Sequence, residues 1–409
     1  MERLMFDTET ARWEHEITQY DEDRMHLRQV AKVLRSLTST LGHHLGANSS
    51  SLLHSRRLPS RSSTHLRGAS SPMTLPHGVR ADELGALKRQ FVAALRHAIG
   101  DSTRVALLDF PFHPNCGDSL IYLGELAALK EIGADILAVS DAEGFRPEQY
   151  LSLPPDTVML FHGGGNFGGL WDTPHLRRNE ELQQLRTFKA VMLPQTMTTM
   201  DDECRQETRA VLADHSDVTL MWRDRQSFDE SLTLFPEVRS ILVPDAAFCL
   251  FPLRQPRVTL RAKERVALLA RKDREGSGLA DAVNGALIPV RDWECVLVEK
   301  AARRLLSFAI KRERSAPGRP RMRLRRRLFY AYTHLNARSA ARQLKTCDVV
   351  VVDRLHAWLL SVLLNVPHVV VDTRYGKISA VMTSWLPDEL ETLTAAPDDS
   401  LARARALAA

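Results

Sequence analysis

Cysteine is scarce in this chain and poorly arranged for bonding: five residues in 409, at positions 116, 204, 249, 295 and 347, with no CxxC pair. An odd, scattered set argues against a disulfide framework and a thiolate zinc site, and it fits a reducing cytoplasm. A long apolar run is missing too. The longest, 357–371, is interrupted by Ser361, Asn365, Pro367 and His368, so no stretch of about 20 residues is available to span a bilayer. The first residues are rich in Asp and Glu, which does not read as a signal peptide. A uniform cationic coat for nucleic acid is also absent, because 55 Lys and Arg against 50 Asp and Glu leave a net charge of only +5.

That small sum hides an uneven distribution. Residues 1–80 hold 11 basic and 8 acidic side chains, residues 81–255 hold 16 and 26, and residues 256–409 hold 28 and 16. The last third is therefore a cationic module suited to anions: phosphorylated small molecules, an acidic membrane surface or nucleic acid. A solvated Arg-rich face is the plainer reading.

The length predicts two or three domains at about 100–200 residues each. Residues 9–38 could form one amphipathic helix, and 42–78, which lacks any acidic residue, reads as a disordered linker rich in Ser, His, Arg, Gly and Pro. A translation start near Met73 is the alternative account of this N-terminal extension, 1–80. From residue 81 short β-branched or aliphatic runs alternate with helical ones. RVALLDF (104–110), ADILAVS (134–140), TVMLFH (157–162), AVMLPQ (190–195), VTLMW (218–222) and SILVPD (240–245) read as buried strands. The second half repeats the logic with VALLAR (266–271), VVVVD (349–353) and HVVVDT (368–373). Strand–helix repetition predicts an α/β chain with parallel sheets: two Rossmann-like domains, 81–255 and 256–409, facing a ligand cleft. Ligands in such sheets bind beyond the carboxyl ends of the strands.

The residues at those ends are polar. After the first strand comes PFHPNCGDS, with Asn115, Gly117 and Asp118, readable as a turn capped by Asp118 or Ser119. After the third comes HGGGNFGGLW, with five glycines between 163 and 169. Such a loop lets backbone N–H groups approach a carboxylate or phosphate, yet it matches neither the Walker nor the dinucleotide pattern. Further ends supply Gln195, Arg223 with Asp224, and Asp245; an Arg–Asp neighbour pair reads equally as a structural salt bridge. VVVVDRLHAW puts Asp353, Arg354 and His356 where a buried strand meets an apolar helix, whose N-terminus favours anions. A helix-start His is otherwise a cap. Arg374 and Lys377 follow the next strand, and Arg271 and Lys272 another. One segment falls outside the pattern: 311–327 carries nine basic residues and Glu313 alone. It reads as a mobile loop, or as an attachment to anionic lipid, each basic residue contributing about 1 kcal/mol near the surface. Nucleic acid fits less well, since no accompanying motif is present.

Taken in order, NCGDSLIYLGE, HGGGNFGGLW, LPQT, WRDRQS, PDAAF, RKDRE, DRLHAW and NVPHVVVDTRYGKI make the chain resemble the polysaccharide pyruvyl transferase family over about 104–386. The resemblance implies transfer of the carboxyethylidene unit of phosphoenolpyruvate to two hydroxyls of a sugar, with release of phosphate. It also implies a two-domain architecture like that of GT-B glycosyltransferases, a saccharide acceptor that is lipid-linked or part of a growing exopolysaccharide, and a cytoplasmic site on the inner face of a membrane. Phosphoenolpyruvate would be a co-substrate, with no cofactor and no metal. On that reaction His356 is the expected principal general acid/base, Arg354 a phosphate or carboxylate clamp, and Arg223 and Lys377 the next clamps. His162 is a second acid/base or a sugar ligand. Gly163, Gly164 and Gly165 with Asn166 would hold an anion or the acceptor. Asn115 and Asp118 would lie near the acceptor hydroxyls or orient the first loop, and Gln195, Asp245 and Arg271 complete the substrate-binding set. Two rivals stay open: a GT-B glycosyltransferase with a nucleotide-sugar donor, for which no base and ribose pocket is recognisable, and a non-enzymatic adaptor binding membrane or RNA through 303–327.

Overall fold

The computed structural model describes residues 81–169, 172–253, 264–271, 276–282, 290–291, 293, 297–315, 322–394 and 397–408. The expected N-terminal extension (1–80), the boundary near 255, Lys272 and the Pro–Gly–Pro cluster at 317–320 lie outside them. All described residues belong to one compact unit.

Two parallel sheets form its frame. The first contains β1 (Arg104–Phe110), β2 (Asp135–Asp141), β3 (Val158–Phe161), β4 (Gly164–Phe167), β5 (Ala190–Met197), β6 (Val218–Trp222) and β7 (Arg239–Leu242), in the order β2-β1-β3-β5-β6-β7 with β4 also on β5. The second contains β8 (Glu264–Leu269), β9 (Val290–Arg291), β10 (Cys347–Val352), β11 (His368–Val371) and β12 (Leu393–Thr394), in the order β12-β11-β10-β8-β9. Every pairing is parallel. Parallel strands are covered on both faces, which is why these segments read as unbroken aliphatic runs, and all five residues from Val158 to His162 are buried.

Helices fill the crossovers: α1 (Ala81–Ile99), α2 (Cys116–Glu131), α3 (Pro147–Leu151), α4 (Asp172–Gln184), α5 (Asp202–Asp214), α6 (Arg225–Leu234), α7 (Leu279–Ala282), α8 (Leu297–Ser315), α9 (Met322–Leu344), α10 (Leu355–Leu364), α11 (Lys377–Trp385) and α12 (Pro397–Ala408). A single apolar cluster joins the halves: Leu84, Cys116, Leu120 and Phe248 pack with Val350, Trp358, Leu360 and Ile378. α2 comes so close to the turn at Ala246–Leu250 that a β-carbon on Gly124 would lie within 2.0 Å of the Ala246 carbonyl oxygen. Glycine is therefore required there, because nothing larger fits.

The structure replaces the expected mobile loop at 311–327 with helix at both ends: 311–315 completes α8 and 322–327 begins α9. The run of basic residues hid two helical faces. Arg314 binds Asp141 at 3.0 Å and Glu143 at 2.6 Å, and Arg325 binds the buried Glu313 at 2.6 Å. Arg325 and Arg326 also donate to the carbonyl oxygens of Val139 and Ile136 on β2, the outermost strand of its sheet. Those carbonyls lack a neighbouring strand, so the arginines satisfy an edge that would otherwise be open.

Candidate active site

Parallel sheets place loops with divergent directions side by side where the strand order reverses. In the first sheet that point lies between β1 and β3, and in the second between β8 and β10. The polar residues named from the sequence follow these strands and their neighbours.

The β1–α2 turn is capped by Asn115, whose Oδ1 accepts from the Gly117 N–H at 2.9 Å, so the expected cap at Asp118 or Ser119 is replaced by one three or four residues earlier. Asn115 Nδ2 donates to Asp118 Oδ2 at 2.8 Å, and His113 lies 3.3 Å from the same oxygen. Gly117 meets the other half of the molecule, since a β-carbon there would stand 2.7 Å from His356 Nδ1. The imidazole thus lies directly on the Gly117 backbone.

His356 belongs to the first turn of α10 and is 9% exposed. Its Nε2 is 3.4 Å from Asp245 Oδ2, an ion-pair distance too long for a strong hydrogen bond. Asp245 is buried and caps the following 3₁₀ turn by accepting from the Ala247 N–H at 2.8 Å. It also accepts from Arg223 Nη1 at 2.8 Å. Burial alone would raise the Asp245 pKa, but His356, Arg223 and the Ala247 N–H hold the carboxyl well below the usual carboxylate range. Arg223 pairs with Asp245 and not with its neighbour Asp224, which instead caps α6 through the Ser227 N–H and accepts from Thr196 Oγ1. Thr196 in turn accepts from Arg223 Nε at 2.8 Å, fixing the guanidinium plane from a second side.

Beyond Arg223 comes the glycine segment. A β-carbon on Gly165 would lie 3.4 Å from Lys377 Nζ and 3.5 Å from Arg223 Nη2, and one on Gly164 would lie 3.6 Å from Asp118 Oδ1. The arrangement is continuous: Gly117, His356, Asp245, Arg223, Gly165 and Lys377 adjoin in sequence, with Asp118 beside Gly164. Lys377 opens α11, which is tied to β6 by Trp385 Nε1 donating to the Arg223 carbonyl at 2.7 Å and by Ser384 Oγ accepting from the Arg225 N–H at 3.0 Å. Arg354 occupies the cap position of α10. The preceding Asp353 accepts from the Arg271 N–H at 2.8 Å and from Ser277 Oγ at 2.8 Å, so the ends of β8 and β10 are locked together behind Arg354.

A family model described as polysaccharide pyruvyl transferase matches residues 115–375. The chain belongs to this family. Pyruvyl transferase 1 of Schizosaccharomyces pombe is 29% identical over 309 residues, covering 71% of this chain and 72% of the yeast protein. EpsO of Bacillus subtilis, itself assigned as a pyruvyl transferase only provisionally, is 25% identical over 300 residues, 73% of this chain and 90% of its own. A functionally uncharacterized Klebsiella pneumoniae protein shares the fold at a TM-score of 0.50 and 18% identity, covering 76% of this chain and 99% of its own. This polysaccharide pyruvyl transferase family member is accordingly a transferase of α/β fold with parallel sheets.

Its site has a buried second layer that residue-by-residue sequence reading missed. Glu125, on α2, is fully buried and accepts from the Gly163 N–H at 2.9 Å and from His162 Nδ1 at 2.9 Å. The Gly163 N–H is thereby occupied by the protein itself, and residues 164–167 form strand β4 against β5 instead of an open loop. Burial by itself would lower the His162 pKa; the Glu125 carboxylate overrides it, with smaller contributions from Asp118 and Asp109, and the net direction is upward. Gln195 Nε2 donates to the His162 carbonyl at 2.8 Å, so Gln195 holds the same turn from β5. Glu125 and Thr196 are the site residues the sequence did not single out. The one available signal was the Glu at the end of NCGDSLIYLGE, two helical turns from the strand end.

Behind His162, Asp109 adopts a left-handed φ of 62° near the end of β1 and accepts from Arg178 Nε at 2.7 Å. Strain of this kind concentrates at functional sites. Glu181, close by on α4, is buried, and its Oε2 has no hydrogen-bond partner among the described residues. Burial pushes its carboxyl well up, and Asp109 adds to the rise against Arg178 and Arg177. The folded state then keeps a proton that the unfolded chain has already lost, so this group makes stability fall as pH rises above the ordinary carboxylate range. Glu181→Gln is expected to remove that decline: melting curves at about pH 5 and about pH 8 should lie closer together than for the parent. An unchanged gap would contradict the assignment.

Proposed function

We propose that the chain transfers the carboxyethylidene unit of phosphoenolpyruvate to two hydroxyls of a saccharide, releasing phosphate. The observation that carries this reading is the convergence of Arg223 and Lys377 on Gly165, next to a His356–Asp245 pair. Phosphoenolpyruvate carries a carboxylate and a phosphate on one three-carbon frame, and two buried cations beside a titratable ring match that demand. In this reading His356 delivers a proton to the methylene carbon, which becomes the methyl group. The adjacent carbon, now oxocarbenium-like, is attacked by one sugar hydroxyl, whose proton returns to His356; phosphate departs carrying that proton away, and the second hydroxyl closes the ketal as its proton passes back to the imidazole. An imidazole can both donate and accept a proton, which suits both directions of transfer. Asn115 and Asp118 then form the acceptor side, and Arg223 and Lys377 at Gly165, with Arg354, the donor side.

Calorimetric titration of the full chain with phosphoenolpyruvate, phosphate, pyruvate, UDP and UDP-sugars tests the donor. Selective binding of phosphoenolpyruvate is the expected result. Selective binding of UDP or a UDP-sugar would hand the site to a nucleotide-sugar glycosyltransferase. Arg354→Lys should weaken phosphoenolpyruvate by roughly ten- to hundredfold although the charge is kept, because a single ammonium cannot reproduce two parallel donors to one anionic group. Parent-like affinity in that variant would remove the clamp role.

A further inference from the structure

The basic helices α8 and α9 pack against each other, and the inner face of α9 lies beside the β1–α2 turn, with Tyr332 against Phe112 and Asn336 Nδ2 donating to Ser119 Oγ at 3.1 Å. Their side chains divide by face. On α8, Ala302, Leu306, Ile310 and Glu313 point inward, while Arg304, Leu305, Phe308, Lys311 and Arg312 are exposed. The spacing of the exposed set is that of one helical stripe. α9 repeats the design, with Arg323, Arg327 and Tyr330 exposed at helical spacing. Leu305 is 49% exposed, Phe308 38% and Tyr330 50%, so three of the large apolar side chains left on the surface gather on these two helices. The stripe has one sign of charge: Glu313, the sole acidic side chain described on either helix from residue 300 onward, is buried against Arg325.

We infer that this face is a docking surface for a bilayer rich in anionic lipid, with Leu305, Phe308 and Tyr330 entering the headgroup boundary and Lys311, Arg312, Arg323 and Arg327 lying among the headgroups. The chemistry selects lipid over the alternatives. Cations alone would suit any polyanion, but Leu305 and Phe308, one turn apart in the middle of the stripe, gain nothing from a phosphodiester backbone and gain most from an acyl boundary. Their position is unlike a folded-protein core, because they stand singly between long cationic side chains. No described helix is long and apolar enough to cross a membrane, so the contact is a peripheral one. The surface is read from exposure and charge alone and does not depend on the donor assigned above.

Co-sedimentation of the full chain with vesicles tests it. Phosphatidylcholine vesicles containing about a third phosphatidylglycerol should bind the protein, and phosphatidylcholine alone should not. Raising the salt should release it, since the attraction is screened within about one Debye length. Lys311→Gln with Arg312→Gln should lower the partition about 25-fold, at about fivefold for each charge. Leu305→Ser with Phe308→Ser, which keeps every charge, should lower it by at least about tenfold. Exposed positions leave the fold intact, and unaltered melting and phosphoenolpyruvate titration of each variant separate loss of this contact from loss of the donor site. Absence of vesicle binding, equal binding to neutral vesicles, or parent-like partition of both double variants would overturn the inference. So would single-stranded RNA binding that the charge variant weakens while vesicles stay unbound.

Discussion

Turnover is expected to fall by about 10²–10⁴-fold in His356→Ala, the range associated with loss of a positioned general acid or base, while phosphoenolpyruvate affinity stays near that of the parent. The separation follows from geometry. The imidazole rests on Gly117 and faces Asp245 Oδ2 at 3.4 Å, whereas Arg223 holds the same oxygen through Nη1 and presents Nη2, with the ammonium of Lys377, to Gly165. Removing the ring leaves Asp245 its contacts with Arg223 and the Ala247 N–H, so the charge network is not stripped bare. Phosphate release with a saccharide acceptor, measured beside calorimetric affinity, reports the two quantities independently. Turnover equal to the parent would end the acid/base assignment; a large loss of affinity with little change in turnover would recast His356 as a donor ligand.

Strands and their order of appearance were legible because parallel sheets bury both faces, and a run such as VALLDF or VVVV has few other uses. The carboxyl-end rule then pointed to Arg223, Asp245, Arg354, His356 and Lys377 without any contact being known. What the sequence could not convey was pairing. Asp224 stands beside Arg223 in the chain, yet a strand end sends consecutive side chains to opposite sides, so Asp224 caps a helix and Asp245 takes the guanidinium. The glycine run was misleading in a similar way: its freedom of conformation suggested an open anion loop, but its first N–H is taken by Glu125 and residues 164–167 form a strand that meets β5 at Gly164 and Phe167. Glu125 itself was hidden because it acts from two turns inside a helix whose neighbours are apolar. Nor could 311–327 be divided from composition alone, since only the partners Asp141, Glu143 and Glu313 separate the inward arginines from the outward ones.

Arg223→Ala is expected to be the most damaging single change, costing about 3–5 kcal/mol of stability, because it leaves the buried Asp245 charge short of its principal cation. It should also abolish measurable phosphoenolpyruvate binding. Those two losses have different origins and can be separated. Asp245→Asn in the same chain removes the stranded charge while keeping a carbonyl oxygen for the Ala247 N–H, so Arg223→Ala/Asp245→Asn should recover much of the stability lost by the single variant. Donor binding should not return with it, since neither substitution supplies a cation at Gly165. Arg223→Lys makes the complementary case: it restores charge but cannot donate at once to Asp245 and Thr196 as the guanidinium does, at 2.8 Å to each. Denaturant midpoints and titration heats on the three variants therefore decide between two views of this residue. If affinity tracks stability through the series, Arg223 is a structural partner of Asp245; if affinity stays lost where stability returns, the guanidinium is in contact with the donor anion.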